Sequence, residues 1–226
     1  MDDHAALLAS LQHGDSFFPS GAVSFSWGLE TLQAEGRVTT VDEVAAFVED
    51  QLRNRWATFD RPALAGAYQS AGDLEEVSRI DYLVEAQTLA AELRAGSRRQ
   101  GAALLSVHEK LGTEGATAYR ARISAGEALG HACVVQGLVW RGTGMTLPAA
   151  EAVSAHGLSV GLLGAALRLG MIGHLDAQCC LQGLRDVIAR ILTQKRLAPT
   201  DLRAFTPEAD IAVMRHETAD SRLFAT

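Results

Sequence analysis

The stretch TVDEVAAFVEDQLRNRWATF, residues 40–59, decides the fold class of this chain. Thr40 and Glu43 have the spacing of a capping box, in which each side chain accepts a hydrogen bond from the backbone N–H of the other residue. Apolar residues then recur at steps of three and four positions, which places them on one face of an α-helix. These residues are Val41, Val44, Val48, Leu52, Trp56 and Phe59. The stretch therefore predicts a long amphipathic helix.

Helix signals continue on the C-terminal side of this stretch, and no run of residues alternates in the manner of a β-strand. Asp73 is placed to cap a helix whose apolar period extends to Leu93, with an interruption expected at 94–97. Pro148 suits the first turn of a later helix, and a further helix is predicted from about 175 to 194. We therefore predict one all-α domain over 1–226, a bundle-like fold of about eight to ten helices with an extended C-terminal tail at 206–226.

Composition and charge narrow the class of protein. The 226 residues carry a net charge of −7, which argues against a protein that grips nucleic acid or an anionic membrane surface. The cysteines are three in number and two of them are adjacent, so a reducing compartment is expected. The longest uncharged stretch, 152–167, has 16 residues, fewer than the roughly 20 that span a bilayer. We expect a cytoplasmic protein without a membrane segment.

Three glycines, Gly157, Gly161 and Gly164, lie near one face of the helix predicted after Pro148. Each glycine in a helix costs roughly 1 kcal/mol relative to alanine, so a compensating reason is expected. We expect a neighbouring helix to approach this face closely, either within the monomer or across a homodimer.

Two segments do not follow the helical period. The first, DSFFPSGAVSFSWGLE at 15–30, contains a proline, glycines and four aromatic residues, and it predicts a turn between two helices. Either a tightly packed corner or a recognition surface fits this composition, since aromatic side chains often anchor interfaces. The second segment is the C-terminus, 207–226, which concentrates charged and apolar residues. It would be anchored on the body or held for a partner, but the sequence pattern favours a partly ordered, solvated tail.

Together these two segments resemble a known family. The pattern at 15–30 is similar to the N-terminal signature of the urease accessory protein F (UreF) family, and MRHET at 214–218 with SRLF at 221–224 resembles its C-terminal signature. Between them, Asp81, the run 92–94, Ser97 and Gly101 match a third pattern of the family, and a fourth includes Arg168. The chain departs from the N-terminal signature at Ala22 and Val23.

The resemblance implies an all-α, homodimeric, cytoplasmic scaffold with no catalytic reaction of its own. Such a protein joins the urease accessory protein D (H in some organisms) and the GTPase G in a complex that helps nickel insertion into apo-urease. The tail is expected to contribute to the contact with D/H. The residues that the resemblance and the two segments assign to partner binding are Phe17, Pro19, Gly21, Ser26, Glu30, Arg168, Arg215, His216, Glu217, Ser221, Arg222, Leu223 and Phe224.

Motifs for catalysis and cofactor binding are missing from the sequence. It contains no phosphate-binding G-x-x-x-x-G-K-[ST] loop, no H-E-x-x-H and no C-x-x-C, so we predict no catalytic residue, resident metal or cofactor. His174, Asp176, Cys179 and Cys180 come nearest to a metal cluster, but on a helix His174 and Cys179 point in different directions. Two alternatives stay open: a regulator that acts on the partner GTPase through Arg168 or Arg215, and an unrelated helical enzyme with a small-molecule pocket.

Overall fold

A computed structural model of the chain describes residues 3–19, 21, 25–217 and 223–224. Over these residues the fold is all-α and contains no strand, as the sequence predicts. The helices are α1 (Asp3–Gly14), α2 (Leu29–Ala34), α3 (Val41–Gln51), α4 (Arg61–Gln69), α5 (Leu74–Gln87), α6 (Ala91–Lys110), α7 (Ala116–Ser124), α8 (Ala132–Gly142), α9 (Leu147–Arg168), α10 (His174–Thr193) and α11 (Pro207–His216). A π-helical segment, Leu52–Asp60, follows α3, and a 3₁₀ turn, Pro199–Asp201, precedes α11.

The stretch 40–59 forms the start of a continuous helical rod, made of α3, the π-helical segment and α4. The predicted capping box is confirmed: Thr40 Oγ1 accepts from Glu43 N at 3.3 Å, and Glu43 Oε2 accepts from Thr40 N at 2.9 Å. Asp73 likewise caps α5 by accepting from the backbone N–H groups of Glu75 and Glu76. With the rod counted once, the described helices are ten, within the expected range.

Two apolar cores lie side by side, and the rod and α9 run through both. One core is built mainly by α4, α5, α6, α7 and α8, and contains Phe59 and Leu64 from the rod. The other is built mainly by α2, α3, α9 and α10, and contains Leu52 and Trp56 from the rod. The rod and α9 therefore contribute side chains to both cores.

The N-terminal end of α8 is held by groups from α5 and α6. Asp81 is fully buried, and its carboxylate accepts from the backbone N–H groups of residues 129, 130 and 131 at 2.7, 2.6 and 2.9 Å. Tyr119 donates its hydroxyl to the same carboxylate at 2.8 Å. Ser97 Oγ accepts from Ala132 N at 3.1 Å, and a Cβ at Gly101 would collide with the carbonyl oxygen of Gly130. Asp81, Ser97 and Gly101, which belong to the third family pattern, therefore fix the start of α8.

The expected interruption of the helix at 94–97 is wrong, because the helix is interrupted earlier, at 88–90. Thr88 ends α5 in an extended conformation, with ψ of 110°, and α6 then runs unbroken through 94–97. Arg94 stabilises the break, since its Nη1 donates to the carbonyl oxygens of Thr88 and Leu89 at 2.6 and 2.8 Å. The apolar spacing of Leu89 and Leu93 therefore does not mark a continuous helix, because it crosses the break between α5 and α6.

The glycines of α9 do not contact a neighbouring helix within the chain, which contradicts the monomer form of our expectation. A Cβ built at Gly157, Gly161 or Gly164 would meet no atom within 4 Å. All three glycines line a cavity between α9, α6 and the segment that joins α1 to α2. Their small size therefore leaves space open on this face.

Helix α9 is long and apolar enough to cross a membrane by length and composition. However, 56% of its most apolar window is buried inside the fold, as expected for a helix that crosses two cores. The core position accounts for its hydropathy without a membrane.

The C-terminal segment is not a solvated tail over 207–216. It forms α11, which buries Ala209, Ala212, Val213 and His216 against the body. Pro207 begins the helix, where its missing N–H is not needed. The prediction of a solvated tail is wrong here because Ala209, Ala212, Val213 and the buried His216 share one face, which packs on α2 and α6.

Candidate functional site

The carboxylate of Glu30, in the N-terminal motif, contacts residues of the C-terminal motif. Glu30, in the first turn of α2, lies 3.1 Å from His216 Nε2 at the end of α11. Its two oxygens also accept from the backbone N–H groups of Leu223 and Phe224, at 2.7 and 3.1 Å. A carboxylate that accepts several N–H donors holds them by charge-assisted hydrogen bonds, about twice as strong as neutral ones. Glu30 thus holds both α11 and residues 223–224.

His216 lies between two carboxylates. Its side chain is 2% exposed, and its Nδ1 is 3.1 Å from Glu92 Oε2 on α6. Each ring nitrogen of His216 thus lies within hydrogen-bonding distance of one carboxylate oxygen. The three side chains therefore form a polar cluster that joins α2, α6 and α11.

Three further contacts surround this cluster. The Arg168 guanidinium, at the end of α9, lies 4.4 Å from the centroid of the buried Phe224 ring. Arg215 Nη1 pairs with Glu35 at 2.9 Å, and at the start of α11 Glu208 pairs with Arg37 at 2.6 Å. We call the group Glu30, Glu92, Arg168, His216, Leu223 and Phe224 the tail junction.

The backbone at Gly28 sets how closely α2 approaches α11. Gly28 has φ of 86°, in the left-handed region that favours glycine. A Cβ here would lie 2.8 Å from the carbonyl oxygen of Ala209 and 3.1 Å from Ala212 Cβ. The buried Ser26 accepts the N–H of Leu29 with its backbone carbonyl at 3.1 Å, which closes the turn into α2. At this point of the N-terminal motif, the backbone conformation of Gly28 sets the contact between α2 and α11.

The structure does not place every predicted site residue at the tail junction. Gly21 has φ of 73° and lies against Ala103 on α6. Glu92 and Ala103 are separated by roughly 16 Å along the axis of that helix. Phe17, 91% exposed, and the exposed Pro19 belong to the same distant part of the segment.

The remaining predicted residues lie at the end of the chain. Glu217 is exposed directly after α11. Ser221 and Arg222 lie outside the described residues, as do Ser20, Ala22, Val23 and Thr218 of the two signatures.

Sequence reasoning assigned no partner-binding role to Glu92 or Glu35, although both contact the C-terminal helix. Glu92 belongs to the third family pattern, in the run 92–94, and its place in that pattern is the sequence signal that pointed to a functional role. Its pairing depends on a contact across 124 positions, which no local pattern contains.

The described residues contain no group of three or more His, Cys, Asp or Glu side chains that could hold a metal ion. Of the cysteines, Cys133 is buried and Cys179 is exposed. Burial raises the pKa of the Cys133 thiol, which disfavours the reactive thiolate. The chemistry of the tail junction is that of hydrogen bonding and ion pairing, which suits docking.

Comparison with protein families matches residues 38–185 to UreF, which is more than half of the chain. The chain belongs to the UreF family. A urease accessory protein UreF of Trichodesmium erythraeum is 35% identical over 99% of this chain and 98% of its own length. Proteins of the same name from Kocuria rhizophila and Arthrobacter sp. are 30% and 32% identical, and each match covers at least 96% of both chains. The resemblance inferred from the terminal motifs is confirmed.

Membership of UreF makes this chain a urease accessory protein, with a general role in urease maturation. The name describes an accessory protein, not a catalyst. The UreF match at 38–185 stops short of both terminal motifs, whereas the relatives align over nearly the whole length. The tail junction joins residues from within that match, Glu92 and Arg168, to Glu30 and the C-terminal residues outside it.

Proposed function

We propose that this protein is a non-catalytic scaffold of urease maturation, which joins the accessory protein D/H and the GTPase G in a complex that helps nickel enter apo-urease. The observation that carries the proposal is the tail junction, where residues of both terminal motifs meet on one largely buried polar cluster. A scaffold needs preformed surfaces and no reactive groups, and the junction offers the first by holding Leu223 and Phe224 in place.

Exposed apolar side chains supply candidate contacts for these partners. Leu223 is 64% exposed although its backbone N–H is held by Glu30. Phe17 and the outward side chains of α1, Leu7, Leu8 and Leu11, are also exposed. Leu7, Leu8 and Leu11 share one side of the helix, as a surface for a partner requires. We assign these residues to the contact with D/H.

The alternative of a GTPase regulator has less support. Arg168 Nε donates to the carbonyl oxygen of Gly164, and its guanidinium covers the Phe224 ring. Arg215 pairs with Glu35. An arginine that completes a partner's catalytic site has to leave such contacts, so both arginines are better suited to holding the tail.

We also propose that the protein works as a homodimer in the cytoplasm. Support comes from the family resemblance, which implies a homodimer. Light scattering of the isolated chain measures the mass directly.

The test is co-expression of the chain with its D/H and G counterparts, followed by a sizing column with light scattering. Removal of residues 218–226 leaves α11 intact, so the shortened chain keeps the buried face of that helix. We expect this deletion to abolish the complex. Leu223→Ala and Phe17→Ala should each weaken it about tenfold, since an exposed apolar anchor contributes about 1–2 kcal/mol.

Leu175→Ala is the matched control, because Leu175 is 82% exposed and lies in neither terminal motif. It should leave the complex unchanged. A full-length chain that forms no complex with either counterpart contradicts the scaffold proposal. A complex that survives the deletion of 218–226 contradicts the role of the tail.

A further inference from the structure

A cavity of about 420 Å³ lies between α9, α6, the rod and the segment joining α1 to α2. Its volume falls within the range of small-molecule sites, about 300–1,000 Å³. Most of its lining is aromatic, aliphatic or glycine, and the three tryptophans of the chain, Trp27, Trp56 and Trp140, all line it. The tail junction and the proposed partner contacts leave this cavity without a role.

A buried arginine lines the cavity without a hydrogen-bond acceptor for its Nε. Arg55, in the π-helical segment, is 5% exposed, and no described residue accepts from its Nε. The Trp27 and Phe59 rings lie 4.7 and 5.3 Å from the guanidinium carbon, so aromatic faces hold the group in place. Nε is closed off from the cavity, so an anionic ligand would meet the terminal nitrogens of the guanidinium, whose charge no described carboxylate contacts at hydrogen-bonding distance.

Two carboxyl groups face Arg55, and neither satisfies it. Asp60 Oδ2 lies 3.7 Å from Arg55 Nε, which is an ion-pair distance beyond hydrogen-bonding range. Asp210 acts on the same guanidinium from α11. Burial raises the pKa of both Asp60 and Asp210, against the opposing effect of the nearby Arg55 charge.

From this arrangement we propose that the cavity binds a small amphipathic organic acid. Its carboxylate accepts from the Arg55 guanidinium, and its apolar body lies among the tryptophans and against the glycine face of α9. The missing side chains at 157, 161 and 164 keep the space free, which accounts for three glycines in one helix.

The test uses phenylbutyrate as the probe and its uncharged amide, phenylbutyramide, as the comparison. Calorimetry measures affinity and stoichiometry on the full-length chain, and tryptophan fluorescence reports occupancy because all three tryptophans line the cavity. We expect one saturable site per chain and an affinity for the acid at least tenfold higher than for the amide, the ratio expected of a charge-assisted hydrogen bond.

Two variants separate the charge from the space. Arg55→Met keeps an apolar side chain between the rings, and it should reduce the affinity for the acid to that for the amide. Gly161→Leu fills the cavity from its open face and should abolish binding of both compounds. Gly183→Leu is the matched control, since Gly183 lies on α10 away from the cavity with no atom within 4 Å of a built Cβ. It should bind both compounds as the unmodified chain does.

Three results would overturn the proposal: no saturable binding of phenylbutyrate, equal affinities for the acid and the amide, or undiminished binding by Gly161→Leu. The comparison of acid with amide and the measurement on Gly161→Leu do not depend on whether Arg55→Met folds. The proposal is independent of partner binding, so failure of the complex with D/H and G would leave it standing.

Discussion

Glu30 and His216 show how single residues join distant parts of this chain. The Glu30 carboxylate holds donors that lie 186, 193 and 194 positions away in the sequence. Because the carboxylate is 16% exposed, it is partly removed from water and each of these bonds is stronger than on an open surface. Loss of its charge should therefore be felt in stability as well as in partner binding.

Glu30→Gln should lower the free energy of unfolding by about 2 kcal/mol, because a neutral amide replaces the charged acceptor of three hydrogen bonds. Urea denaturation followed by circular dichroism measures the change. Glu208→Gln is the control, since Glu208 pairs with Arg37 on the open surface, where an ion pair contributes about 0–1 kcal/mol. Equal losses for the two variants would contradict the special role of Glu30.

At the scale of elements, close backbone approach explains where this glycine-rich chain needs glycine and where it does not. Helices α4 and α8 pack against each other at Gly137, where a Cβ would collide with the carbonyl oxygen of Leu64 and lie 2.9 Å from Tyr68 N. Both atoms belong to the backbone of α4 and cannot move aside without shifting the helix. Gly183, by contrast, has no neighbour within 4 Å.

Gly137→Ala should destabilise the fold by about 1–3 kcal/mol, because overpacking at the helix contact exceeds the gain in helix propensity of about 1 kcal/mol. Gly183→Ala keeps that gain without the collision and should stabilise the fold by up to about 1 kcal/mol. Thermal unfolding of both variants measures the difference. A stabilising effect of Gly137→Ala would contradict the close approach of α4 and α8 at this position.

For the molecule as a whole, buried histidines predict a loss of stability in acid. His108 is fully buried, and its ring stacks on that of His13 with centroids 5.1 Å apart. Burial and, to a lesser extent, the neighbouring His13 lower the pKa of His108 to about 4. The folded state therefore keeps the imidazole neutral at pH values where the unfolded chain, with an ordinary pKa near 6.5, binds a proton.

Protonation thus favours the unfolded chain, and stability should fall as the pH drops from about 6.5 to about 4. His108→Gln should make this part of the stability profile shallower, which urea midpoints at pH 7 and pH 4.5 would measure. His174→Gln, at an exposed position, should leave the slope unchanged. Identical slopes for all three chains would contradict the assignment to His108.

Local sequence patterns determined the all-α class, the capping box at Thr40, the cap at Asp73 and, through the terminal motifs, the UreF family. These features depend on residues within a few positions of each other or on motif order, so the sequence contains them directly. Tertiary structure alone decided that Glu30 meets His216 and Phe224, that the chain breaks at 88–90, and that the glycines of α9 face a cavity. Each of these depends on which helix faces lie together, and that follows from packing the whole chain.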